Sequence, residues 1–214
     1  MKNLHKIAVS LASCIALHAN ASVITYKTGY STTQSQASAD AYRTVVDAAV
    51  QNPTSGYGTK QYTSYTVVNS FGANQNLAQE TLVNFDVSAN QAGSWTFRIG
   101  GDFGYGAAVF IDNKALTFSQ NDMWWGESFS TPSQYLMGST VLTSGNHTLA
   151  VYGLEGCCGG DQQGQFKIGA GQFTTFSNND GLGGHVPEPG TLASILLGLG
   201  VLGGLHRRRA QRGR

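Results

Sequence analysis

The chain has 214 residues, with 13 Lys and Arg against 12 Asp and Glu, and only 12% of it is charged beside 28 glycines. So little positive charge offers a polyphosphate backbone nothing to bind, which argues against a nucleic-acid partner, and abundant Gly, Ser, Thr, Asn and Gln fits a secreted β-protein with long polar loops. Seven basic residues (Lys2, Lys6, Arg207, Arg208, Arg209, Arg212 and Arg214) lie at the two ends, so residues 22–186 keep six basic against eleven acidic residues, a net charge of −5.

Lys2 and Lys6 begin a basic region, residues 7–17 are apolar and Ala19-Asn20-Ala21 is an A-x-A site, the order of parts of a secretory signal peptide over residues 1–21. The mature chain then starts near Ser22 and leaves one domain of about 165 residues, enough for a single core. Tyr42, Val45, Val46 and Ala49 fall at i, i+3, i+4 and i+7, with Ser38 as N-cap and Pro53 as stop, which predicts a short amphipathic helix over 39–50. Short β-like runs follow at 62–69, 81–87, 94–100, 107–112, 135–142, 147–153, 164–168 and 173–176, separated by Gly, Asn and Ser turns. Tyr26 adds a strand candidate ahead of the helix. Asp112-Asn113 makes a tight turn pairing 107–112 with 114–118. The pattern predicts a mostly β fold, an antiparallel β-sandwich of jelly-roll or lectin-like type with one short N-terminal helix, over residues 22–176. Residues 177–185 read as a Gly/Asn-rich linker.

Two cysteines follow residue 21, and they are adjacent: Cys157-Cys158. Neighbouring Cα atoms are about 3.8 Å apart, below the usual disulfide range of about 4.4–6.8 Å. A bridge between them closes almost no loop, so its use is local, clipping a rigid turn whose flat sulfur surface can face a ligand. In an oxidising compartment three states stay open: this vicinal disulfide, two reduced buried thiols, or cross-links to other chains. A zinc site combining the pair with His147 lacks the standard spacer.

At the far end, Val186-Pro187-Glu188-Pro189 precede an apolar stretch over 191–205 and the basic run His206-Arg207-Arg208-Arg209. At about 1.5 Å per residue that stretch covers about 22 Å, short of the hydrocarbon core of about 30 Å, so it predicts a transient transmembrane helix that needs local thinning. The arginines hold the terminus in the cytoplasm and leave the domain outside. The order of motif, apolar segment and arginines over 186–214 resembles the PEP-CTERM sorting signal. The resemblance implies export, with the inner membrane as a transient partner, and processing by an exosortase, a membrane cysteine transpeptidase of cells that make extracellular polysaccharide. It implies the cell surface or extracellular matrix as destination. The alternative is a stable tail anchor without processing.

Residues 98–112, containing Arg98-Ile99-Gly100-Gly101-Asp102-Phe103-Gly104-Tyr105-Gly106, then Asp122-Met123-Trp124-Trp125, then 145–160 with Glu155-Gly156-Cys157-Cys158-Gly159-Gly160, resemble a family of PEP-CTERM proteins named for its Cys-Cys-Xaa-Gly motif. At longer range, the acidic Gly loop before an apolar strand ending in Ile111-Asp112 is similar to the protective-antigen-type, GLEYA-like β-sandwich of surface adhesins and carbohydrate-binding modules. Those adhesins carry two consecutive aspartates that hold calcium and a sugar, where this chain has Asp102-Phe103.

Asp102 and Asp112, at opposite ends of one strand, are separated by about 20 Å and cannot share an ion. Asp102 is the better ligand because flanking glycines let carbonyls turn inward beside a carboxylate. Glu155 and Asp161 complete a calcium site if the two loops meet, and calcium is the one cofactor in view. The alternative is that all three carboxylates cap backbone amides. Of Trp124 and Trp125, one belongs to the core and the other can stack on a sugar face, with Tyr105 in a similar role. No G-x-S-x-G, H-E-x-x-H or phosphate loop is present, which leaves Glu127 and Glu155 as the pair a glycan-acting hydrolase would use. The reading is a non-catalytic exported protein that binds or scaffolds extracellular polysaccharide; a purely structural matrix protein is the alternative, and a hydrolase the third.

Overall fold

The computed structural model describes residues 22–66 and 75–182. The signal peptide and the sorting segment fall outside the described residues, and among those described no helix is long and apolar enough to cross a membrane. The described chain forms β1 (Val23–Tyr30), α1 (Ala39–Gln51), β2 (Thr59–Tyr62), β3 (Gln75–Val87), β4 (Gly93–Gly101), β5 (Ala107–Ile111), β6 (Lys114–Ser119), β7 (Tyr135–Leu142), β8 (Gly145–Cys157), β9 (Gln162–Ile168) and β10 (Thr174–Thr175). These pair antiparallel into a six-stranded sheet, β2-β1-β3-β8-β5-β6, and a four-stranded sheet, β10-β9-β4-β7.

Alternation along the strands builds the core between the sheets. In β4, Trp95, Phe97 and Ile99 are buried while Thr96 and Arg98 between them are not. They join Val83, Phe85 and Val87 of β3 and Phe166 of β9 in one cluster. Phe85 and Trp95 lie 5.6 Å apart between ring centroids, and Phe166 and Phe176 4.8 Å apart, within the range where aromatic pairs attract.

The helix covers the other face of the six-stranded sheet. Ser38 caps it, its hydroxyl accepting from Ala41 N at 3.2 Å. Tyr42, Val46 and Val50 then pack on Ala78, Ala108, Phe110, Ala150 and Leu154. The backbone of Ala49 lies so near Gly29 of β1 that any Cβ there would collide with it. Strand β5, covered on both faces, is buried along its whole length. Asp112 and Asn113 turn β5 into β6 with φ of 49° and 65°, the left-handed pair of a two-residue hairpin.

Three segments differ from the sequence expectation. Of the strand expected over 62–69, residues 67–69 lie outside the described residues, and the described strand here is β2 at Thr59–Tyr62, whose residues pair with Ile24–Lys27; Ser64 then bridges to Ser177 and Tyr65 turns into the core. Strand β3 begins at Gln75, ahead of the expected Thr81, since its polar Gln79 and Glu80 are buried with partners. The packed chain also runs past Phe176: Leu182 is fully buried in the main core cluster and Asp180 bonds to Ser22, so Ser177–Leu182 pack on the domain.

The sandwich has two distinct ends. At one, Gln91 of the β3–β4 turn donates to Gly181 O at 3.5 Å, near the Ser22–Asp180 contact. At the other lie the β4–β5 loop and the turn after β8. The registers Val23↔Asn84↔Thr148 and Gln75↔Cys157 separate the two ends by about 30 Å along β8.

Candidate functional site

Three segments meet at the end away from Ser22: the loop Gly101–Gly106, residues 122–126, and the end of β8 with the turn to Asp161. They interlock, with side chains of one segment seated on glycines of another. Phe103, fully buried, lies against Gly101 and Gly153, and the Trp125 ring covers Gly100. The Tyr105 hydroxyl stands 2.6 Å from where a Cβ on Gly156 would be, and Asp102 Oδ2 is 2.6 Å from the corresponding point on Gly160. Backbone bonds fix the same contacts: Phe103 N to Met123 O at 2.9 Å, Tyr105 N to Leu154 O at 3.0 Å and Asp102 N to Asp161 O at 3.3 Å. Absence of side chains at these glycines is what lets the loops approach so closely.

Glu155 braces the junction. Buried on β8, its carboxylate accepts from Gly104 N and, at 2.9 Å, from Cys157 N, so one side chain holds both loops. The helix adds a third hold, with the Tyr42 hydroxyl donating to Tyr105 O at 2.6 Å. Beneath the loop lies a buried polar network between the sheets. Gln79 Oε1 accepts from Tyr26 Oη at 2.7 Å and Gln162 Nε2 at 2.8 Å, while Gln162 Oε1 accepts from Tyr65 Oη at 2.9 Å and Thr81 Oγ1 at 3.0 Å. Gln79 Nε2 in turn donates to Asp102 O at 3.4 Å. Burial pushes the Tyr26 and Tyr65 hydroxyls well above the usual phenol range, so both stay protonated donors.

These contacts leave a defined surface. Trp124 is 66% exposed and its neighbour Trp125 6%, the division of labour expected for the pair, although both sit in a loop and not a strand. Cys157 and Cys158 are joined in a vicinal disulfide, and both are exposed, which removes the reduced buried thiols. Cys158 takes φ of 65°, turning the chain sharply towards Gly159 and Gly160. Asp102 is half-buried beside Glu155, Asp122 and Asp161; burial, then the Glu155 charge and the other two, raise its pKa to about 6. Asp161 is likewise raised by burial and by the charge of exposed Glu127.

Asp102, Tyr105, Trp124, Trp125, Glu155 and Asp161 are thus gathered at one end, with only some free to meet a ligand. Trp125 and Glu155 are buried, and Tyr105 is packed on Gly156. Asp102, Glu155 and Asp161, the expected calcium set, share this end of the sandwich, while among the described residues no three His, Cys, Asp or Glu side chains are disposed around a common ion. Glu155, its central member, is engaged by amide hydrogens. His147 is far from the cysteines, clamped at the opposite end between Asp112 Oδ2 at 2.7 Å and Thr143 O at 2.8 Å. Sequence reasoning missed the network of Gln79, Thr81 and Gln162, because both glutamines lie just ahead of the runs read as strands.

Residues 185–210 match the model of the PEP-CTERM protein-sorting motif, which marks the chain as an exported protein processed at its C-terminus by an exosortase. No curated protein sequence matches the chain. Among solved structures, the PA14 sugar-binding domain from an RTX adhesin is similar at 12% identity and a TM-score of 0.49, over 77% of this chain and 99% of that one. The PA14 domain of the MpAFP antifreeze protein gives 12% and 0.48, over 78% and 93%. The Epithelial Adhesin 9 A domain from Candida glabrata, in complex with Galb1-4GlcNAc, gives 8% and 0.43, over 77% and 90%.

Proposed function

We propose that this exported, exosortase-processed chain is a non-catalytic module of the cell surface or extracellular matrix, binding polysaccharide through the end formed by Trp124, the Cys157–Cys158 turn and the Asp102 loop. The observation that carries the reading is the combination of an exposed Trp, an exposed disulfide and a half-buried carboxylate on a junction braced by Glu155, Tyr42 and the glycine contacts. A large flat ring held on a rigid support stacks on the apolar face of a sugar at small entropic cost. The orientation of the fold supports the same reading. Ser22 and Leu182, from which the chain continues towards its two processed ends, lie at one end, and the candidate surface lies about 30 Å away at the other, free to meet a polymer.

Binding rather than hydrolysis is supported by Glu155, whose buried carboxylate is engaged by two backbone amides of the junction itself. Binding of the mature protein to polysaccharide from the producing cells tests the proposal. Trp124→Ala is expected to weaken it at least about tenfold, the loss of about 1.4 kcal/mol of stacking, with unchanged melting. Wild-type protein that is folded and ignores the polysaccharide leaves the purely structural role.

A further inference from the structure

Ser22 is 3% exposed, and it ties the start of β1 to the segment that leads to the sorting motif. Its nitrogen donates to Ser177 O at 3.3 Å and its hydroxyl to Asp180 Oδ2 at 2.6 Å. The same carboxylate accepts from Ser177 N at 2.9 Å and Leu182 N at 3.0 Å. The segment's other contacts come from neutral residues: the Ser64 backbone bridges to Ser177, and the Gln91 side chain donates to Gly181 O at 3.5 Å. Asp180 is acted on by burial and by hydrogen bonds from Ser22, Ser177, Leu182 and its own backbone, with no cation among its influences. A carboxylate sheltered in this way has one obvious complement, a positive charge on the residue it already touches.

We propose that cleavage between Ala21 and Ser22 supplies that charge, and that the new Ser22 ammonium pairs with Asp180 and locks Ser177–Leu182 onto the domain ahead of the motif match at residue 185. The inference rests on the signal-peptide reading of residues 1–21. In the cleavage, water adds across the Ala21–Ser22 bond. The acyl carbon leaves as the carboxylate of the departing segment, and the nitrogen becomes an ammonium by taking the proton that this acid loses. One amide hydrogen becomes three ammonium hydrogens, so Ser177 O can keep its bond while the charge faces Asp180. Processing at one terminus then orders the chain just before the site of processing at the other. In its sheltered setting the pair is worth more than an exposed ion pair.

The test compares the protein purified from exporting cells, confirmed by mass to begin at Ser22, with the same protein selectively acetylated at its α-amine. Both are melted from about pH 6 to about pH 10, bracketing the ordinary α-amino range of about 7.7–8.0. The ammonium gains a partner on folding, so its folded pKa is raised. Its stabilisation is complete below the unfolded value and lost as pH rises through the folded one. The free-amine form is expected to melt several degrees higher at the acid end and to converge with the acetylated form at the alkaline end. In Asp180→Asn the two forms are expected to melt together, which a merely structural Asp180 would not produce. Should that variant fail to fold, an NMR titration of the wild-type α-amine decides, with a pKa above the ordinary range expected. Equal melting of the two wild-type forms, a difference that survives in Asp180→Asn, or an amine pKa within the ordinary range overturns the proposal. A mature chain that starts elsewhere overturns the cleavage reading itself.

Discussion

Tyr42 on the helix and Tyr105 in the β4–β5 loop are joined by a 2.6 Å hydrogen bond from the Tyr42 hydroxyl to the Tyr105 carbonyl. The helix therefore does more than cover the six-stranded sheet, because its first turns reach past the sheet and hold the candidate site. Tyr42→Phe keeps the ring in its apolar setting and removes the hydroxyl that makes this bond and also meets Ser35 and the Gln36 backbone, so it is expected to cost about 0.5–1.5 kcal/mol or somewhat more in denaturant unfolding. Faster amide exchange at Tyr105 and Gly106 is the local signature to look for.

Gly153 lies under the buried ring of Phe103, where a Cβ would collide with it. Gly153→Ala is expected to destabilise by about 1–3 kcal/mol, the range for overpacking a filled core. Gly145→Ala is a contrasting case on the same strand: nothing lies near its Cβ, and the cost there comes from φ of 123° alone. Unfolding curves of the two variants separate crowding from backbone conformation.

The glutamine network makes a further prediction. Gln162→Leu leaves Tyr65, Thr81 and Gln79 without a shared partner in a region closed to water. Each buried group left unsatisfied costs about 1–3 kcal/mol, so this single change is expected to rank among the most damaging in the domain by thermal melting.

Asp102 and Asp161 both hold their protons more tightly than usual, and Asp102 is shifted far enough to be followed. Its folded pKa of about 6 lies above the unfolded value of about 3.9, so the folded state holds the proton more tightly. Its contribution to stability is full below the unfolded pKa and falls as pH rises through the folded one. Asp102→Asn is expected to flatten the melting profile between those values and to raise the melting temperature at neutral pH. An unchanged profile would place the raised proton affinity elsewhere.

Reduction of Cys157–Cys158 is expected to leave the melting temperature nearly unchanged, since a bridge between neighbours closes almost no loop in the unfolded chain. Its effect should appear in polysaccharide binding, which the double variant Cys157→Ser, Cys158→Ser is expected to weaken.

Helix α1 and the Asp112-Asn113 hairpin were legible in the sequence because each is determined locally, by a cap with i, i+3, i+4 spacing or by two residues that accept left-handed backbone. The start of β3 was not. Gln79 and Glu80 look like surface residues, and they are buried only because Gln162, 83 positions away from Gln79, and Lys27 come to meet them. Leu182 was hidden in the same way behind Gly, Asn and Ser, which suit a spacer as well as a cap. At the candidate site the residue types were visible and their roles were not. Glu155 reads as a ligand in sequence and acts as a brace in the fold, a distinction set by the two amides that approach it.

The keyed contacts between loops also have an evolutionary consequence. Tyr105 on Gly156, Phe103 on Gly153, Trp125 on Gly100 and Asp102 on Gly160 each join a side chain to a position that must stay empty. Across descendants of this chain, the two members of each couple should change together or not at all, whereas Trp124, Asp122 and Glu127, exposed beside them, are free to drift singly. A lineage could then exchange one polymer for another by altering the exposed positions while its inherited framework stays intact.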